Sequence, residues 1–154
     1  MTQTSPGTGA RAVDQVLRRL RKLPPPRNRY VVERDLKTPT RDGFTLASNH
    51  YAPAVAGQES GTMLIRTPYG RGFPVAQLWG STFAARDYHV VMQACRGTGG
   101  STGTFDPMVR EADDAQDTVA WLREQPWFSG DLATMACHTW PTPSGPCWPT
   151  RRRS

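Results

Sequence analysis

Thr62-Met63-Leu64-Ile65-Arg66 and Tyr88-His89-Val90-Val91-Met92-Gln93-Ala94 are the two runs that decide the fold of this chain. Each is short, apolar at its centre and without the alternation of a half-solvated strand, which is the pattern of a strand buried on both faces. Between them, residues 74–86 carry Val75, Leu78, Trp79, Phe83 and Ala84 on the apolar side of a helix. Downstream, residues 111–125 predict a second helix, with Glu111, Asp113 and Asp114 in its first turns, where acids suit the helix dipole. Ala115, Thr118, Val119 and Leu122 can face inward from it. Pro126-Trp127-Phe128-Ser129-Gly130 is a turn, and Asp131 to Met135 starts another strand. Upstream, residues 29–38 read as a strand, Arg41-Asp42-Gly43 as a hairpin turn whose glycine takes positive φ, and Phe44 to Tyr51 as the returning strand. A β-hairpin followed by strand, helix, strand, helix, strand is an α/β fold with parallel central strands.

At 154 residues the chain has room for one domain. Lys+Arg 19 against Asp+Glu 13 gives a net charge of +6, and Arg151, Arg152 and Arg153 supply three of those positives. A nucleic-acid reader needs a basic face with a reading element, and no such element is visible, so no nucleic-acid partner is expected. The competing class is a non-catalytic basic protein whose Arg-rich termini grip an acidic partner or nucleic acid. Three cysteines, Cys95, Cys137 and Cys147, lack the paired spacing of a disulfide framework or a zinc site, so no metal is expected. No apolar run reaches the roughly 18 residues of a membrane span, and Met1 to Ala10 is unlike a signal peptide. The expectation is a soluble, cytoplasmic protein with no membrane partner.

Residues 1–9 read as disordered. Residues 10–23 place Val13, Val16, Leu17, Leu20 and Leu23 at helical spacing, with Arg18, Arg19, Arg21 and Lys22 mainly on the other face, before Pro24, Pro25 and Pro26 stop the helix. It is read as packed on the domain. The chain thus divides into an N-terminal amphipathic helix and linker (1–28), an α/β body (29–135) and a tail (136–154).

The tail has four prolines, two tryptophans and an Arg run in nineteen residues, with neither helical nor strand periodicity. The genetic code offers a reason. Starting from the last G of the Met135 codon, the bases under Met135-Ala136-Cys137-His138-Thr139-Trp140 force a glycine. They then permit Gly-x-Ser-Tyr-Leu-Ala and an apolar, helix-like run after it. One G lost near codon 135 or 136 would make the tail an out-of-frame, disordered product, which is the expectation; the alternative is a genuine disordered, Pro-rich basic tail.

Gly99-Gly100-Ser101-Thr102-Gly103 matches Gly-x-Ser-x-Gly. A nucleophile elbow needs a strand directly before its serine and a helix directly after it. Here the strand ends well before Ser101 and the next helix begins near 111, so Ser101 is read as a loop residue. Gly97-Thr98-Gly99 is an incomplete dinucleotide loop with no early βαβ unit around it, and no cofactor is implied. A flexible loop at the carboxyl end of a strand is the preferred reading. His89 reads as structural, His50 as exposed in the hairpin, and His138 belongs to the tail; none is placed as a general base.

Four ordered motifs carry a family resemblance. They are Thr40-Arg41-Asp42-Gly43-Phe44-Thr45-Leu46, Ile65-Arg66-Thr67-Pro68-Tyr69-Gly70, Val90 to Gly103, and Asp117-Thr118-Val119-Ala120-Trp121-Leu122 with Gln125-Pro126-Trp127. Over residues 30–135 the chain resembles the X-Pro dipeptidyl-peptidase and cocaine esterase-like serine hydrolases. The resemblance implies an α/β-hydrolase fold, here its N-terminal part with an incomplete sheet. It also implies a Ser-Asp-His triad whose nucleophile motif is Gly-x-Ser-Tyr-x-Gly, close to the alternate-frame reading. It maps Tyr69 onto the oxyanion-hole tyrosine. Nucleophile, Asp and His are absent as written, so the fragment is expected to be inactive, to fold poorly and to expose a raw sheet edge. The intact enzyme would act on a small-molecule or peptide ester or amide, with the oligomeric state open.

Overall fold

The computed structural model describes residues 2–4, 15, 16, 19, 22–55, 57, 59–72 and 76–136. Six strands, β1 (Thr2–Thr4), β2 (Tyr30–Pro39), β3 (Thr45–Pro53), β4 (Gly61–Thr67), β5 (Tyr88–Ala94) and β6 (Leu132–Ala136), form one sheet in the order β1-β2-β3-β5-β4-β6. The β1 to β5 side is antiparallel, and β5, β4 and β6 run parallel. Between β4 and β5, a π-helical stretch Ala76–Ser81 leads into the short α1 (Thr82–Ala84). Between β5 and β6 lies α2 (Glu111–Arg123).

The hairpin turn forms as its residues dictate. Gly43 takes φ 84° and donates its N–H to the Thr40 carbonyl at 3.0 Å. β2 is then interrupted by a bulge between Glu33 and Leu36, where Asp35 takes φ 58°. Side chains alternate across β4 and β5, so each feeds two cores. Ile65, Val90 and Met92 join Tyr30, Val32, Tyr51 and Ala84 on one face, with Trp79, Phe83 and Met135 packed against them. Leu64 and Val91 meet Leu122 of α2 on the other, with Trp121, Trp127, Phe128 and Leu132 around them. This double coverage is why the two central runs are continuously apolar.

Several expectations are corrected. Residues 1–9 were expected to be disordered, yet Thr2–Thr4 pairs with β2, Thr2 opposite Val32, because the outer edge of β2 offers a ladder to complete. Within the expected helix at 10–23, Gln15, Val16 and Arg19 are helical. Val16, placed on its packed face, is 57% exposed. Lys22 takes φ 52° and Leu23 is not helical, so the helix does not reach the end expected for it; its other residues, and residues 137–154 of the tail, lie outside the described residues. His50 was expected to be exposed and is buried (3%), since β5 pairs with β3 and makes it an interior strand. Asp114, expected only as an acid of the first turn that suits the helix dipole, is in addition fully buried with Thr118 and Leu122. It precedes Thr118 by one helical step of four, so all three share a face. No helix among the described residues is long and apolar enough to cross a membrane.

Candidate active site

The carboxyl ends of β4, β5 and β6 open on the same edge of the sheet, where ligands sit in open α/β folds. The last β4–β6 pair is Arg66 with Ala136, so β6 ends one residue short of the end of β4 at Thr67. Tyr69 stands just beyond that edge. Its backbone N–H donates to Thr67 Oγ1 at 3.1 Å, and the residue is 54% exposed. An exposed phenol there can donate a hydrogen bond to a ligand on the edge.

The loop after β5 is built as a rigid floor beside Tyr69. Cys95 N–H donates to the Thr67 carbonyl at 3.1 Å, joining the ends of β5 and β4. Ser101 Oγ donates to the Ala94 carbonyl and accepts from the Ala47 N–H, both at 2.9 Å. Its hydroxyl is thus engaged in holding the loop, as the spacing argument anticipated for a loop residue. Gly97, at φ 71°, has no room for a side chain, because a Cβ there would lie 2.2 Å from the Phe105 backbone nitrogen. A Cβ on Gly99 would lie 3.5 Å from Gly70 Cα, which shows how closely the turns after β4 and β5 pack. Cys95 is buried and its thiol is pushed up to about 12, chiefly by desolvation, so it is not a nucleophile.

A charged network underpins this edge. Arg96 grips Asp114 through Nε (3.2 Å) and Nη2 (2.5 Å), and Asp42 through Nη1 (2.9 Å) and Nη2 (3.1 Å). The Arg96 guanidinium holds the Asp42 carboxyl down at about 2 and is itself raised by the two carboxylates. Arg66 pairs with Glu111 Oε2 at 2.8 Å and gives its Nε to Gln93 Oε1 at 3.0 Å. Thr118 Oγ1 donates to that same Gln93 oxygen at 3.0 Å. Arg41 reaches Asp117 at 2.8 Å, so the hairpin turn is tied to α2.

On the same face of the sheet His50 Nε2 and His89 Nδ1 are hydrogen-bonded at 3.0 Å. Trp127 stacks on His50 with centroids 3.9 Å apart. Desolvation, aided by the neighbouring His89, brings His50 down to about 3, and burial lowers His89 as well. Burial favours the neutral form of both rings, and His89 lies at the amino end of β5, away from the carboxyl edge. Among the described residues no group of three His, Cys, Asp or Glu side chains could hold a metal. Sequence reading missed Asp114, the His50–His89 pair and Arg71. The i, i+4, i+8 spacing of Asp114, Thr118 and Leu122 was available to find the first.

The family described as X-Pro dipeptidyl-peptidase (S15 family) matches residues 42–137. A cocaine esterase of Rhodococcus sp. (strain MB1 Bresler) is 36% identical over 107 residues, which are 67% of this chain and 18% of that protein. A crystal structure of a CocE/NonD family hydrolase from Staphylococcus aureus superposes with a TM-score of 0.59 at 26% identity, covering 69% of this chain and 22% of that one. An α-amino acid ester hydrolase superposes with a TM-score of 0.53 at 26% identity, covering 70% of this chain and 21% of that one.

Proposed function

Because this chain belongs to the X-Pro dipeptidyl-peptidase family (S15 family), we propose that its α/β body is the N-terminal part of a serine hydrolase cleaving an ester or amide through an acyl-enzyme. The family match carries this reading. The chain spans about a fifth of the length of these relatives, 18% of the cocaine esterase and 22% of the S. aureus hydrolase. The substrate is a small-molecule or peptide ester or amide.

In this reading Tyr69 is one oxyanion donor. Its exposed position just beyond the carboxyl end of β4 supports the role. One such donor is worth about 3 kcal/mol, or roughly two orders of magnitude in rate. The second donor would be the backbone N–H after the nucleophile. The family match ends at residue 137, beside the codons where the alternate frame supplies Gly-x-Ser-Tyr, which supports a lost G and an out-of-frame tail. A chain that runs through this tail in its present frame does not carry the Gly-x-Ser-Tyr nucleophile, and catalysis without it is only residual. Arg41, Arg66, Arg71 and Arg96 are each paired with an acidic side chain of the same fold, which weighs against a basic docking face at these four residues.

Resequencing codons 130–160 from genomic DNA tests the frame. A restored G that continues through Gly-x-Ser-Tyr supports the reading, and an unbroken present frame removes it. In activity, the 154-residue chain is expected to turn over p-nitrophenyl esters no faster than its Tyr69→Phe variant. Turnover that falls with Tyr69→Phe would overturn the inactivity. In the frame-restored product, Tyr69→Phe is expected to lower kcat about a hundredfold, and an unchanged kcat would remove Tyr69 from the oxyanion site.

A further inference from the structure

Arg71 lies two residues after Tyr69 and is the point where four segments meet. Its Nη2 reaches Asp35 Oδ1 at 2.8 Å and the Gly99 carbonyl at 2.9 Å. Its Nε also reaches the Gly99 carbonyl, at 3.2 Å, and Nη1 donates to Asn49 Oδ1. The fork therefore binds the turn after β4 to the bulge of β2, to β3 and to the loop after β5. Only 11% of its side chain is exposed, so the cation is held and not merely resting on the surface.

The bulge gives this arrangement its shape. Asp35 is the residue of positive φ inside it, and its own N–H donates to Asn49 Oδ1 at 3.2 Å. A bulge re-aims a side chain that a regular strand would send elsewhere. Here it brings a carboxylate to Arg71, and that guanidinium holds the Asp35 carboxyl below its usual range. Gly100 keeps the approach open, since a Cβ there would come within 3.3 Å of Arg71 Nη2. None of this serves the Arg96–Asp114 network, which ties α2 to the hairpin turn instead. A planar fork with several acceptors fixes direction as well as distance, which a lysine cannot do.

We propose that Arg71 is the positioning residue for Tyr69: through Asp35, Asn49 and Gly99 it fixes the turn that carries the phenol against the loop after β5. Its catalytic meaning rests on the oxyanion reading of Tyr69, whereas the ordering of the turn does not.

NMR-detected hydrogen exchange on the 154-residue chain tests the ordering. In Arg71→Gln, exchange at the amides of Tyr69, Thr98 and Ser101 is expected to rise about tenfold or more. Leu64 and Val91 in the central strands stay protected. Arg71→Lys recovers part of the protection, because an ammonium reaches one acceptor and not the set. Asp35→Asn, a change at an exposed residue that leaves the sheet intact, gives a smaller rise at the same amides. No local rise in Arg71→Gln, or an equal rise across the sheet, overturns the proposal. In the frame-restored product, Arg71→Gln is expected to lower kcat with KM held, and to add nothing in the Tyr69→Phe background. Additive losses would overturn positioning through Tyr69. An exchange effect without any Tyr69→Phe loss would sink the oxyanion reading and leave the ordering standing.

Discussion

Acid should unfold this chain through a pair of neutral histidines. His50 is held near 3 in the folded protein and returns to 6.5 when unfolded. The unfolded state therefore binds the proton more readily, so stability is complete above 6.5 and is lost as pH falls from 6.5 toward 3. At pH 4.5 the unfolded side chain is almost fully charged while the folded one is still neutral. Two pH units at 1.36 kcal/mol each make the loss from His50 about 3 kcal/mol, against a total of roughly 5–15 kcal/mol for a domain. His89 shifts in the same direction by burial, with Glu59 opposing it, and Trp127 adds no titrating group. Protonating the acceptor nitrogen also removes the lone pair that makes the 3.0 Å contact. Asp42 does not confuse the window, because its folded value of about 2 against 3.8 confines its loss to lower pH. The assay is urea unfolding, followed by far-ultraviolet circular dichroism, at pH 7.5, 6 and 4.5 for the parent and for His50→Gln. The variant is expected to start less stable and to lose about 3 kcal/mol less between pH 7.5 and 4.5. Parallel pH profiles for the two chains would refute a depressed His50.

Three further outcomes follow from the packing. Asp114→Ala leaves Arg96 with Asp42 as its one carboxylate and Arg66 with Glu111, and should cost about 3 kcal/mol by urea unfolding; a loss below 1 kcal/mol would mean that the remaining partners carry both arginines. Gly97→Ala puts a methyl against the Phe105 backbone nitrogen at positive φ. It should lower the midpoint of thermal unfolding by several degrees, as about 1 kcal/mol or more does in a small domain, and an unchanged midpoint would refute the close packing. Thr134→Lys places a charge at an exposed position of edge strand β6 and should raise the monomer fraction in gel filtration; no change would show that β6 is not the aggregating edge.

Much of the fold was legible because its signals are local. The apolar runs of β4 and β5, the Gly43 turn and the face of α2 each lie within a few residues. The elbow test applied to Ser101 was local too, and its hydroxyl is engaged with Ala94 and Ala47. What escaped depends on long-range pairing. His50 looks like an outer-strand residue until β5 is laid against β3, which pairs its second edge and brings His89 beside it under Trp127. The Asp35 bulge leaves no mark in composition, and its purpose is visible only once Arg71 arrives from after β4. Tyr69 came from family motifs. Its neighbours supply the geometry that a motif cannot.

The order of the strands also has a consequence for synthesis. β4 is made before β5, yet in the sheet β5 lies between β3 and β4. While the chain emerges from the ribosome, the β2–β3 hairpin can close early, but β4 has no strand to join. Until residues 88–94 clear the exit tunnel, the nascent chain carries a finished hairpin and a loose apolar segment waiting on one insertion. A pause or a rare codon just before Tyr88 would prolong that exposure, and chaperone capture would concentrate there.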